Sequence, residues 1–126
     1  MKKGILKDKS FKFAVRIVSL YKHLCEEKKE FVLSKQILRS GTSVGAMIRE
    51  AEHSESIADF IHKLSIAQKE INETIYWLEL LIKTEYISDK EFESINGDAV
   101  EIIKMITSSI KTTKSNHTTK SLTTNH

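Results

Sequence analysis

No proline interrupts this chain, and that absence constrains its fold more than any other feature. Only four glycines occur among the 126 residues. Since both strong breakers of regular backbone structure are scarce, long helices are expected. The length fits one domain. An apolar fraction of 40% is enough to build a single core if the apolar residues are well patterned.

Apolar residues recur at helical spacing in four segments, so we predict an all-α fold. The predicted helices cover about residues 9–27, a segment that begins with Ser34 as N-cap, a segment from Ser56 to about Thr84, and a segment that begins at Ser88. Ser88 and Glu91 have the spacing of a capping box, as do Ser56 and Asp59. Connections of three to six residues force neighbouring helices to run antiparallel. The sequence therefore predicts an antiparallel up-down-up-down four-helix bundle.

The first helix carries more apolar surface than one core-facing stripe requires. Its two stripes at three-four spacing are Phe13, Ile17, Leu20 and Leu24, and Phe11, Ala14, Val18, Tyr21 and Cys25. On the second helix, Gly41 and Gly45 each cost about 1 kcal/mol relative to alanine inside a helix. Small residues surround both glycines, so we predict that another helix approaches closely there.

The apolar period stops at residue 110. From Lys111 onward Thr, Ser, Lys, Asn and His replace it, and such a segment cannot bury surface. We therefore predict a bundle domain over residues 1–110 and a disordered tail over residues 111–126.

A second face of the middle helices carries a candidate oligomer interface. Opposite the core side of these helices lie Gln36, Arg39, Ser40, Ser43, Met47, Glu50, Ile66, Glu70, Glu73, Trp77 and Leu80. Trp77 and Leu80 on the outside would form an apolar patch, which marks an interaction site. Alternatively, a rotation of the helix tucks both side chains inside. Arg39 is a natural partner for Glu70 or Glu73, within one subunit or across two.

The segment 36–51, QILRSGTSVGAMIREA, resembles the signature of the bacterial 23S rRNA intervening-sequence protein family. Asp59-Phe60, residues 64–67, Glu70, Glu73 and residues 76–78 extend the resemblance over about residues 10–107. The resemblance implies a four-helix bundle that assembles into a homopentamer. A related protein is the accessory variability determinant of diversity-generating retroelements, a basic pentamer that binds nucleic acid and its reverse transcriptase. The family usually has Asn where this chain has Met47.

Charge is distributed unevenly along the chain, although its net value is only +3. Residues 1–40 and the tail are basic and the middle is acidic, and the antiparallel topology brings both chain ends to one pole. Candidate contacts to RNA or DNA phosphates are Lys2, Lys3, Lys7, Lys9, Lys12, Arg16, Lys111, Lys114 and Lys120. No aromatic residues interleave with them, so any binding should be non-specific. The alternative is a scaffold for an unidentified protein partner, in which the lysines only maintain solubility.

We predict no catalytic residue, no cofactor and no metal site. Glu50 with His53 and Asp59 with His62 have a spacing found in di-metal bundles, but the first pair points away from the core seam. Cys25, the single cysteine, is expected to be a buried structural thiol. Since no catalytic motif is found, the sequence predicts a non-enzymatic protein. Since neither a signal peptide nor a membrane span is found, it predicts a cytoplasmic one.

Overall fold

The chain folds into four helices. The computed structural model describes the backbone of residues 3–124 and the side chains of residues 4–117. The helices are α1 (Lys3–Glu26), α2 (Leu33–Glu52), α3 (Ile57–Lys83) and α4 (Asp89–Thr124). No strand occurs within the described range, so the prediction of an all-α protein with four helices is confirmed.

All four helices contribute to one apolar core. Of the two stripes on α1, the one that contains Phe13, Ile17 and Leu24 is buried in this core. The other faces outward, and its Phe11 is 54% exposed. In sequence order each helix packs on the next, and α1 closes the arrangement against α4. The α1–α4 side is the most loosely packed of the four.

Two glycines let α1 and α2 approach closely. A Cβ atom built on Gly41 would lie 2.7 Å from Cγ1 of Ile17, which is well inside van der Waals contact. A Cβ atom on Gly45 would lie 3.3 Å from the main-chain oxygen of Ser10. The close approach predicted for these glycines is confirmed.

A buried glutamate caps the N-terminus of α2. Glu30 is 9% exposed, and its carboxylate accepts hydrogen bonds from the N–H groups of Val32, Leu33 and Ser34 at 3.2, 3.0 and 2.7 Å. N–H groups at the start of a helix have no acceptor inside the helix, and the Glu30 carboxylate supplies the missing acceptor. The prediction of Ser34 as N-cap is wrong, because Ser34 lies inside the first turn and its hydroxyl donates to the Glu30 carbonyl at 2.8 Å.

The capping box before α4 is confirmed. The N–H of Glu91 donates to Oγ of Ser88 at 3.1 Å, and the N–H of Ser88 donates to Oε1 of Glu91 at 2.9 Å. The main-chain hydrogen bond from Ser88 lowers the pKa of Glu91. At the start of α3, the N–H of Asp59 donates to Oγ of Ser56 at 3.0 Å.

α4 is longer than predicted. It spans 36 residues and stays helical to Thr124, where the sequence predicted a disordered tail from Lys111. No glycine or proline follows Gly97, so no strong breaker ends the helix. Residues 125 and 126 lie outside the described range, and the division of the chain at residue 110 stays a prediction.

Candidate functional site

A charged cluster joins α2 to α3 at the predicted interface. The Nη1 atom of Arg39 donates to the Glu70 carboxylate at 3.0 and 3.3 Å, and its Nη2 atom donates to Oε2 of Glu73. The indole N–H of Trp77 donates to the same Glu73 oxygen at 3.0 Å. Arg39 therefore pairs within one chain with both of the carboxylates that the sequence had named as its possible partners.

These contacts shift the ionisation of the cluster. The hydrogen bond from Trp77, with a further contribution from Arg39, lowers the pKa of Glu73. Hydrogen bonds to Glu70 and Glu73 raise the pKa of Arg39. Arg39 and Glu73 are both held in their charged forms, which favours a structural link between helices over proton transfer.

Ser40 was predicted to lie in the interface, but it is buried inside the subunit. Its side chain is fully buried, and its Oγ atom lies 2.9 Å from the hydroxyl of Thr74, which is also fully buried. Ser40 sits one turn from Ile37 and Val44, on the edge of α2 that enters the core. Thr74 was not among the residues predicted from the sequence. Its position three residues after Ile71 was the available signal.

The other members of the predicted interface are half-buried or exposed. Trp77 and Met47 pack against the edge of the core, and Ile66 and Leu80 are half-buried, so the apolar patch is only partly open. Glu50 pairs with Nζ of Lys63 at 2.8 Å. The Ser43 hydroxyl donates to a main-chain oxygen at 2.6 Å, and Gln36 is exposed.

An exposed apolar surface lies on α1. Phe11, Val15 and Val18, which we call the α1 stripe, are 54%, 51% and 37% exposed and follow each other at helical spacing. The guanidinium carbon of Arg49 lies 5.2 Å from the centroid of the Phe11 ring. Phe11 and Val18 were predicted to lie on one apolar stripe of the first helix, but neither was predicted to lie in an interface.

Three of the predicted nucleic-acid contacts are ion-paired within the chain. Lys7 lies 3.8 Å from Glu52, and Lys9 pairs with Glu101. Arg16 bonds to Oδ2 of Asp98 at 2.6 Å and to Oγ of Ser94 at 2.8 Å, which ties α1 to α4.

The remaining six predicted contacts differ in what the structure describes. Lys12 and Lys111 are exposed and have no ion-pair partner within 4 Å among the described residues, and Lys114 is also exposed. Lys2 lies outside the described residues, as do the side chains of Lys3 and Lys120.

The described residues contain neither a cluster of metal ligands nor a membrane-spanning helix. Within the described residues, no group of three or more His, Cys, Asp and Glu side chains converges on a possible metal position. In the same range, no helix combines the length and apolarity that crossing a bilayer requires. Cys25 is only half-buried, and its sulfur lies 3.6 Å from Oγ of Ser34.

Comparisons with known proteins place the fold in a family. No curated protein matches the sequence. A 1.70 Å crystal structure of a protein with unknown function from the S23 ribosomal protein family of Bacteroides thetaiotaomicron VPI-5482 is 67% identical. The match has a TM-score of 0.87 and covers 88% of this chain and 99% of that one. The model of the 23S rRNA-intervening sequence protein family matches residues 2–108. The resemblance drawn from residues 36–51 is thus confirmed, and the chain belongs to the family of 23S rRNA-intervening sequence proteins.

Proposed function

We propose that this protein is a non-enzymatic scaffold that assembles with copies of itself, and that each subunit is an antiparallel up-down-up-down bundle. The observation that carries the proposal is the α1 stripe, an apolar surface left open to water. The proposed assembly is the homopentamer that the family resemblance implies.

Contacts between neighbouring helices support the alternating direction. Between α1 and α2 and between α2 and α3, an early residue of one helix meets a late residue of the other, as in Lys7 with Glu52, Cys25 with Ser34, and Lys63 with Glu50. Between α1 and α4 the pairs run in opposite order, since Lys9 meets Glu101 and the later Arg16 meets the earlier Asp98. Short connections between the helices favour the same arrangement.

Burial of the α1 stripe would supply the free energy of association. Contiguous exposed apolar residues in a small protein mark an interaction surface. Removing each half-exposed side chain of the stripe from water would contribute roughly 1 kcal/mol. A ring with an odd number of subunits needs two different complementary faces on each subunit. The half-buried Met47, Ile66 and Leu80 between α2 and α3 provide the second face in this proposal.

The charged groups support a binding role rather than a catalytic one. Arg39, Glu70 and Glu73 satisfy one another across α2 and α3, and Glu50 is paired with Lys63. These ion pairs join α2 to α3.

Light scattering on the purified protein tests the assembly. We expect the wild-type protein at tens of micromolar to have an oligomeric mass and Val15→Asp to have the mass of one chain. The matched control is Ile5→Asp, since Ile5 is 46% exposed on α1 but lies outside the α1 stripe. Circular dichroism confirms that each variant is folded. A wild-type monomer, or a Val15→Asp protein that still assembles, would refute the proposal.

Non-specific contact with nucleic-acid phosphates is the second candidate function. Leu6 and Thr113 line one cavity, which supports the gathering of the basic chain ends at one pole. Ion pairs already occupy Lys7, Lys9 and Arg16, so we place this candidate second. Binding of labelled structured RNA and duplex DNA should weaken steeply with salt and weaken further in Lys12→Glu/Lys111→Glu. Absence of binding at low salt would eliminate this candidate.

A further inference from the structure

A cavity of about 340 Å³ opens at the pole where α2 ends and α3 begins. Its floor is apolar and comes from three helices. Leu6, Ile48, Ala51 and Leu64 form this floor, and each is at most 3% exposed to solvent. α4 supplies the opposite wall, and its described lining residues are all polar and uncharged.

A change in the α4 sequence produces this wall. The apolar series of α4 continues through Ile102 and Ile106, and one heptad after Ile106 the chain has Thr113. Ser109 and Thr113 line the cavity where larger apolar side chains would have filled it. Their hydroxyls make no hydrogen bond to any of the described residues, so they are available to a ligand.

We propose that this cavity, which we call the polar-wall cavity, binds a small neutral molecule with the size and chemistry of a two-ring aromatic that carries an N–H or O–H group. The apolar face of the molecule would lie on Leu6, Ile48 and Leu64. Its polar edge would bond to the hydroxyls of Ser109 and Thr113. This inference is independent of the proposed assembly, because the α1 stripe does not line the cavity.

The volume of the cavity sets the size of the ligand. An apolar protein cavity of about 150 Å³ accepts benzene. The polar-wall cavity is more than twice as large and falls within the ~300–1,000 Å³ range of ligand sites. It is therefore large enough for two fused rings.

The charge at the cavity excludes anions. The Glu52 carboxylate lines the cavity, and its partner Lys7 is 3.8 Å away and 43% exposed. A carboxylate ligand would approach Glu52, and none of the described α4 residues that line the cavity carries a positive charge. A neutral ligand avoids this repulsion.

Binding of indole, with indole-3-acetate as the anionic counterpart, tests the proposal on the full-length protein. We expect saturable binding of indole with one site per chain, measured by calorimetry. We expect indole-3-acetate to bind at least tenfold more weakly. In methyl-detected NMR, indole should shift the resonances of Leu6, Ile48 and Leu64 and leave those of Val15 and Val18 unchanged.

Two threonine-to-leucine variants of α4 test the site, one that fills the cavity and one that does not. Thr113→Leu should weaken indole binding at least tenfold. Thr107→Leu, the same exchange on the same helix outside the cavity, should leave the affinity unchanged. The proposal is overturned if indole does not saturate below its solubility limit, if its shifts map to the α1 stripe, or if Thr113→Leu binds as tightly as the wild type. The shift map on the wild-type protein decides the matter even if Thr113→Leu fails to fold.

Discussion

Replacing Gly41 with alanine should destabilise this protein, whereas the same replacement at Gly97 should stabilise it. Both glycines lie inside helices, so each alanine gains about 1 kcal/mol of helix propensity. At Gly97 the new Cβ would meet nothing within 4 Å apart from its own stretch of helix, so the whole gain in propensity stabilises the protein. At Gly41 the new Cβ would lie 2.7 and 2.9 Å from Cγ1 and Cγ2 of the fully buried Ile17.

The clash at Gly41 outweighs its propensity gain. Cγ1 and Cγ2 are bonded to the branched Cβ of Ile17, so they cannot rotate away without moving the core. Overpacking of this kind costs about 1–3 kcal/mol. The net effect of Gly41→Ala is then a loss of roughly 0–2 kcal/mol. Gly41→Ala should be roughly 1–3 kcal/mol less stable than Gly97→Ala, because the propensity gain cancels between the two variants.

Urea unfolding measures this difference, and the use of one protein concentration for both variants keeps the contribution of assembly the same in each. In thermal unfolding, 1 kcal/mol should correspond to roughly 3–5 °C for a chain of this length. In an Ile17→Ala background, Gly41→Ala should become stabilising, because Cγ1 and Cγ2 are absent and only the Cβ atom at position 17, 3.2 Å away, remains close. If Gly41→Ala proved as stable as Gly97→Ala in the wild-type background, the close approach of α1 and α2 would be refuted.

Three further predictions concern the polar contacts. Glu30→Ala should lower the free energy of unfolding in urea by about 1–3 kcal/mol, because it removes the acceptor for three N–H groups at the start of α2. Glu27 is exposed, so the control Glu27→Ala should change stability by less than about 0.5 kcal/mol. Equal losses in the two variants would contradict the role of Glu30 as the helix cap. Arg39→Ala should lower the free energy of unfolding by no more than about 1 kcal/mol, since Arg39 is 49% exposed. This loss of stability should shrink in high salt, and a loss that did not depend on salt would count against an ion-pair origin. The pKa of Glu73 is lowered, so its stabilisation is present above its ordinary value of 4.5 and is lost as the pH falls through the lowered value. Fluorescence of Trp77, the single tryptophan, should change in that acidic window, and Glu73→Gln should abolish the change.

Helix number and core seams were predictable because they depend on periodicity. The Ser88–Glu91 capping box was equally predictable, since its partners are three residues apart. The Glu30 cap was not predictable in this way. It depends on a turn in which Lys29 has a φ of 56°, and that turn brings a carboxylate to N–H groups two to four residues later.

The assignment of faces required tertiary structure. α1 has two apolar stripes of similar composition, and periodicity does not decide which one enters the core. The contact of Gly41 with Ile17 fixes that choice in the folded protein. Ser40 was misplaced for a related reason, because a small polar residue at the edge of a seam is compatible with either side. The acidic partners of Lys9 and Arg16 lie on α4, more than 80 residues away in the chain, so no local pattern encodes them.

The loose α1–α4 side has a consequence for how the chain folds. The three tighter helix pairs are all consecutive in sequence, so most of the native contacts join nearby parts of the chain. Proteins with such local topology fold within microseconds to milliseconds. Only the packing of α1 on α4, which includes the Arg16–Asp98 pair, requires a loop that spans most of the protein. We therefore expect this seam to close last during folding and to open first during unfolding, so that amide hydrogens in α1 exchange with solvent before those in α2 and α3.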